Sequence, residues 1–211
     1  RDEEQILDLK TANIVHFAAF NPDSNRIAFS TVEPRATAPG WQANNELNLM
    51  ALSSSGFLAN PVTILEENAG GVYGWWGMDF EWAPDGISLA YLRPDSVGIL
   101  DMEDKSMQTR LELLPLQTRQ DWAWVPGVSW SPDANVLYTV AHVAPEGASS
   151  PEESPQFDLV GIPAEGGAAV TLVSSVGMFA YPVASPVLTG TYGAAGELPF
   201  RVAYLQALLP L

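Results

Sequence analysis

The side chains that could carry chemistry are few and scattered. The chain has two histidines, His16 and His142, no cysteine, and 25 acidic residues against 9 basic ones. The histidines stand far apart, in different sequence repeats, and an isolated histidine is ordinarily a structural residue. Carboxylates cluster at Asp2-Glu3-Glu4, Glu66-Glu67, Asp101 to Asp104 and Glu152-Glu153, but none has the alternating spacing of a calcium loop. Two carboxylates could share acid–base work if a funnel brought them together; a solvated surface is the plainer reading. A serine nucleophile needs Gly-x-Ser-x-Gly between a strand and a helix. The nearest string, Gly86-Ile87-Ser88-Leu89-Ala90, lacks the second glycine and falls within a strand. The missing cysteines exclude disulfides, thiolate metal sites and a cysteine nucleophile. No phosphate-binding or dinucleotide-binding glycine pattern occurs. No catalytic residue, metal set or cofactor is therefore expected.

Tryptophan is the more informative type, with seven in 211 residues. Trp41, Trp75, Trp76, Trp122 and Trp124 stand outside the regular strand pattern, with Asp79 and Asp121 in the same segments as the last four. Aromatic faces beside carboxylates suit a sugar ring, a peptide or a partner surface. Whether they bind or merely pack depends on the elements that hold them.

Those elements repeat. HFAAFNPDSNRIAFS, MDFEWAPDGISLAYL, PGVSWSPDANVLYTV and a degenerate AYPVASPVLTG place prolines at positions 22, 84, 132 and 186. Before each of the first three prolines, apolar residues alternate: Ala18 and Phe20, Phe80 and Trp82, Val128 and Trp130. That is the period of a strand. Pro-Asp followed by Ser-Asn, Gly or Ala-Asn then signals a turn, with Gly or Asn taking positive φ. A second strand follows at once, at 26–29, 87–91 and 136–140, so each unit opens with a hairpin. Two further strands complete each unit: 47–52 and 61–65, 97–101 and 109–113, 157–162 and 168–173. Four short antiparallel strands per repeat is the blade of a propeller.

At these residues the sequence resembles the TolB-like, WD-repeat-like propellers, whose blades carry a W-S-P-D-G hairpin. Trp82-Ala83-Pro84-Asp85-Gly86 and Trp130-Ser131-Pro132-Asp133-Ala134 match that pattern closely, and Phe20-Asn21-Pro22-Asp23 less so. The fourth copy has Val187 in place of the aspartate. The resemblance covers essentially the whole chain. It implies an all-β propeller of about four four-stranded antiparallel blades, at roughly 15–65, 78–113, 126–173 and 181–211, the last incomplete. Residues 1–10 read as the outer strand of a preceding or closing blade. Three closures compete: part of a larger ring, a small ring closed by residues 5–9, or two chains combining as a dimer. A chain that begins and ends within a blade favours the first.

Successive connections in an antiparallel meander alternate ends. The Pro-Asp hairpins share one face, and the long loops 33–45 and 142–156 share the other with Trp75, Trp76, Trp122 and Trp124. Binding residues are usually displayed on such loops above a rigid scaffold. The alternative is that these tryptophans wedge between blades. The formal charge of −16 disfavours nucleic acid and anionic lipid. No apolar run is long enough to span a bilayer, which leaves open a lipid anchor upstream. The first expectation is a non-catalytic scaffold that binds a protein partner or a carbohydrate through this rim. The resemblance implies a bacterial, extracytoplasmic, periplasmic or cell-surface setting. The second expectation is the substrate-gating propeller of a larger peptidase or hydrolase, whose catalytic domain has no counterpart in this sequence.

Overall fold

The computed structural model describes residues 9, 11, 13–38, 40–53, 56–57, 60–71, 75, 77–116, 123–144, 147, 154–187 and 200–206. Among these residues the regular structure is β, arranged as four antiparallel sheets in chain order. The first contains β1 (Ile14–Phe20), β2 (Arg26–Pro34), β3 (Trp41–Ala43), β4 (Leu47–Ser53), β5 (Gly56–Phe57) and β6 (Val62–Leu65). The second runs β7 (Asp79–Trp82), β8 (Leu89–Arg93), β9 (Ser96–Leu100) and β10 (Met107–Glu112). The third runs β11 (Val128–Trp130), β12 (Val136–His142), β13 (Phe157–Pro163) and β14 (Val170–Val173). The last pairs only β15 (Val183–Ala184) with β16 (Val202–Ala203). Among the described residues the protein is an all-β assembly of propeller blades, with two strands of the last one.

The Pro-Asp turns form because their side chains bind backbone that the turn leaves unpaired. Asp85 Oδ1 accepts from the N–H groups of Ile87 (2.7 Å) and Ser88 (2.8 Å), and Asp85 Oδ2 accepts from the Ser88 hydroxyl. Those bonds take Ile87 and Ser88 out of the ladder, so β8 begins at Leu89 and not at Ile87 as the alternation suggests. In the third blade Asp133 accepts from Ser131 Oγ (2.6 Å), whose own oxygen accepts from the N–H of Val136. In the first blade the work passes to the buried Asn21, whose Oδ1 accepts from the N–H groups of Asn25 and Arg26. Positive φ falls on Ser24, Gly86 and Ala134. The asparagines at 25 and 135, expected to take it, do not; each sits one position later and continues into the strand.

Blades join through three apolar clusters. Ala28 and Leu47 meet Phe80, Trp82 and Tyr91; Ala90 and Val97 meet Trp130 and Leu137; Trp124 and Phe157 meet Val176 and Ala180. The motif tryptophan also bridges blades by hydrogen bonding. Trp82 Nε1 donates to the carbonyl of Ala19, and Trp130 Nε1 to that of Glu81, both at 3.2 Å. Each acceptor lies three positions before the proline of the preceding blade, so the repeat contains its own bridge. Phe20, at the equivalent position of the first blade, has no such donor and is 56% exposed.

The segment 33–45 departs from expectation. It is no loop: β2 runs on to Pro34, and β3 pairs back with it as Val32↔Ala43, Glu33↔Gln42 and Pro34↔Trp41. Its turn closes with the Arg35 N–H donating to the Gly40 carbonyl and the Gly40 N–H to that of Thr37, both at 2.8 Å. The result is a two-stranded arm continuing the blade past its rim.

Candidate functional site

The arm folds over the lead-in to the second blade, and this brings the site together. Trp41 lies beside His16 on β1, with ring centroids 5.9 Å apart and tilted by 37°. His16 lies across the backbone of Gly77, where any Cβ would meet the imidazole. This close approach sets His16 beside the start of β7 and Asp79. The Asn45 side chain fixes the same junction: its Oδ1 accepts from the N–H of Met78 at 2.9 Å. From the arm's turn, just past β2, Arg35 places its guanidinium 4.8 Å from the centre of the Trp75 ring. Arg35 also meets Glu33 at 3.3 Å.

Between arm and blade lies a cavity of about 310 Å³, lined by Ile14, Val15, His16, Val32, Gly40 and Trp41. Its lining is largely apolar, and its outer wall is open, with Ile14 65% exposed. Asp79 and Glu81 project from the solvent-facing positions of β7. Protein crowding on their inner sides removes water from both carboxyls and raises their pKa values; for Asp79 the charge of His16 opposes the rise. The arrangement presents an apolar socket, a cation over an aromatic ring and a carboxylate held in poor solvation. Among the described residues it holds no nucleophile hydrogen-bonded to a base.

Of the residues expected from sequence, Trp41, Trp75 and Asp79 therefore meet around one feature. Trp124 does not join them. It is 3% exposed, packs edge-on against Phe157 at 5.1 Å and sits in the core between the third and last blades. Its placement is that of a wedge. Trp76, Asp121 and Trp122 lie outside the described residues. His16, Arg35, Ile14 and Val15 were missed by residue-type reasoning. The signal within reach was Pro39-Gly40, a turn dipeptide between two residues able to pair. His142 is buried, with Nδ1 2.9 Å from the Leu114 carbonyl, Nε2 2.8 Å from that of Ser154, and its ring stacked on Phe157. It ties the far end of the segment 142–156 to β12, and β12 to the end of the second blade. No group of three or more potential metal ligands occurs among the described residues. No helix among them is long and apolar enough to cross a membrane.

No family model matches the sequence, and no curated protein matches it. Among solved structures, the chain is similar to an acylaminoacyl peptidase of Pyrococcus horikoshii, with 13% identity, a TM-score of 0.45, and coverage of 75% of this chain and 24% of that one. It is similar to a candidate TolB of Agrobacterium tumefaciens, with 14% identity, a TM-score of 0.48, and coverage of 90% and 60%. It is also similar to TolB of Acinetobacter baumannii, with 13% identity, a TM-score of 0.34, and coverage of 81% and 46%. The chain thus spans from 24% to 60% of the length of these structures.

Proposed function

We propose that this propeller is a binding module that docks a protein partner on the arm-and-rim surface between the first two blades. The observation that carries this reading is the apolar socket beside Trp41, flanked by Arg35 over Trp75. Tryptophan and arginine around a small apolar pocket is the composition of a protein–protein hot spot, where one anchoring side chain is desolvated. A carbohydrate would need polar groups converging on an aromatic platform, and the socket walls are Ile14, Val15 and Val32. Asp79 suits a cationic or hydrogen-bond-donating group next to the anchor. A setting outside the cytoplasm rests on the TolB resemblance.

The test is a peptide-display selection against the chain, followed by titration of the selected peptides. Peptides with an apolar anchor should emerge, and Trp41→Ala should weaken them by at least about tenfold while the circular dichroism spectrum is kept. A glycan panel, titrated in parallel, should give no Trp41-dependent binding. Peptides indifferent to Trp41, or a glycan that depends on it, would sink the reading.

A further inference from the structure

A second cavity lies on the opposite face of the first blade. Along β2, Ala28 packs toward the second blade, while Ile27 and Phe29 pack the other way, with Met50 of β4. Strand alternation puts Thr31, Glu46 and Asn48 on that other face, at its rim end. There they line a cavity of about 400 Å³ with Asn44, Thr63, Glu66 and Glu67.

The hydrogen bonds in this cavity run in one direction. Asn44 Nδ2 donates to Thr31 Oγ1 at 2.9 Å, and Thr31 Oγ1 donates to Glu46 Oε1 at 2.6 Å. Asn48 Nδ2 reaches the same Oε1 at 3.4 Å, and Asn48 Oδ1 accepts from Thr63 Oγ1 at 3.0 Å. Both side-chain donors that reach Glu46, Thr31 Oγ1 and Asn48 Nδ2, meet Oε1. Glu46 is only 7% exposed, yet its Oε2 is buried with no hydrogen-bond partner among the described residues. A buried acceptor without a donor is destabilising, and a carboxylate oxygen more so than a neutral one. Such a group in a folded protein calls for an explanation.

We propose that this cavity is a binding site for an organic primary ammonium group, with Glu46 Oε2 as its anchor. The missing component is a hydrogen-bond donor carrying positive charge. No lysine, arginine or histidine lines the cavity, so no described wall residue supplies it. Glu66 and Glu67, both exposed at the mouth, add negative potential along the way in. An ammonium group supplies three donors, which match a carboxylate oxygen and neighbouring amide and hydroxyl oxygens. The cavity volume falls in the range of small-molecule sites, so it admits a small amine or the end of a lysine side chain. The site is separate from the Trp41 socket, which lies on the face toward the second blade.

Calorimetric titration of the whole chain with 1,5-diaminopentane tests the proposal, with 1,5-pentanediol as the uncharged control of equal length. The diamine should bind saturably at one site and the diol should not. Glu46→Gln should weaken the diamine by at least about tenfold, the factor for one charge-assisted hydrogen bond. It should also raise the melting temperature of the unliganded chain by roughly 2–4 °C, since the orphaned charge is gone. Should Glu46→Gln fail to fold, Glu66→Gln with Glu67→Gln at the exposed mouth should still weaken the diamine severalfold. Trp41→Ala should change nothing here, which separates this site from the socket. A lysine-containing peptide binding as tightly as the diamine makes the source a protein, and a weaker one makes it a free amine; either supports the ammonium site. Equal binding of the diol, displacement of the diamine by equimolar calcium, or indifference to all three glutamates would overturn it.

Discussion

The two ends of the blades treat their polar groups in opposite ways. At the hairpin end, turn side chains satisfy themselves locally. Desolvation pushes the Asp85 carboxyl up, but the N–H groups of Ser88 and Ile87 and the Ser88 hydroxyl together pull its pKa below the ordinary value. The Ser131 hydroxyl, then Asn135, does the same for Asp133. At the rim end, burial raises the pKa of Asp79. The buried polar atoms without a partner among the described residues are Gln42 Oε1, Glu46 Oε2 and Arg93 Nε. They lie on the arm, at the start of β4 and at the end of β8, all at the rim end. The hairpin end is chemically closed, and the rim is left with unmet demands. A protein tolerates such groups where something else is to meet them. The difference fits the proposed reading, in which one end serves stability and the other binding.

The largest effect expected inside this comparison comes from a rim tryptophan that belongs to the core. Trp124→Ala should destabilise the chain by about 3–5 kcal/mol, the range for truncating a buried aromatic, as measured by urea unfolding. Trp41→Ala, at a half-buried ring, should lose far less. If Trp124→Ala costs under about 1 kcal/mol, then Trp124 is displayed and the line between rim and core is wrongly drawn.

Next come the carboxylates, where the two ends should respond with opposite sign. Asp85 has a depressed folded pKa, so it stabilises the fold above its unfolded value. That contribution disappears as pH falls through the folded value. Asp85→Ala should therefore lose about 1 kcal/mol near neutrality and nothing in strong acid. Asp79 has a raised folded pKa, so its ionised form is penalised at neutral pH, and the penalty vanishes below the ordinary carboxylate value of about 3.9. Asp79→Asn should stabilise near neutrality, and the gain should close as pH drops. Unfolding both variants in urea across the acid range checks the signs. A common sign would erase the contrast.

The blades were legible in the sequence because their signals are local: a period of two, a proline, and an aspartate that binds the next two or three backbone groups. The face carrying the rim followed from counting connections. The arm was not legible as strand, because 33–45 contains few β-branched residues and its pairing is an extension of β2 past the blade. His16 looked isolated because its partners, Trp41, Gly77 and Asp79, come from other elements. Trp124 and Trp41 both stood outside the strand pattern, and only packing across blades told them apart. Glu46 was invisible for the same reason: nothing local marks a carboxylate as buried with one oxygen unpaired.

The finest test lies within the hairpin end. Ser24, Gly86 and Ala134 hold the same turn position with φ of 56°, 69° and 60°. A residue with a Cβ pays roughly 1–2 kcal/mol for that conformation, while glycine loses about 0.4–1 kcal/mol through the freer unfolded chain. The balance favours glycine by about 0.5 kcal/mol. Ser24 is exposed, so Ser24→Gly should show that gain in full. Ala134 packs its methyl against the cluster holding Trp130 and Leu137, so Ala134→Gly should gain less or nothing. In the reverse direction, Gly86→Ala would bring a methyl to 3.3 Å from Asp23 Oδ2. It should therefore lose more than Ser24→Gly gains. Melting temperatures of the three variants order these effects. Equal shifts for Ser24→Gly and Ala134→Gly would mean that the turn's own conformation, and not its packing on the neighbouring blade, sets the stability of this end.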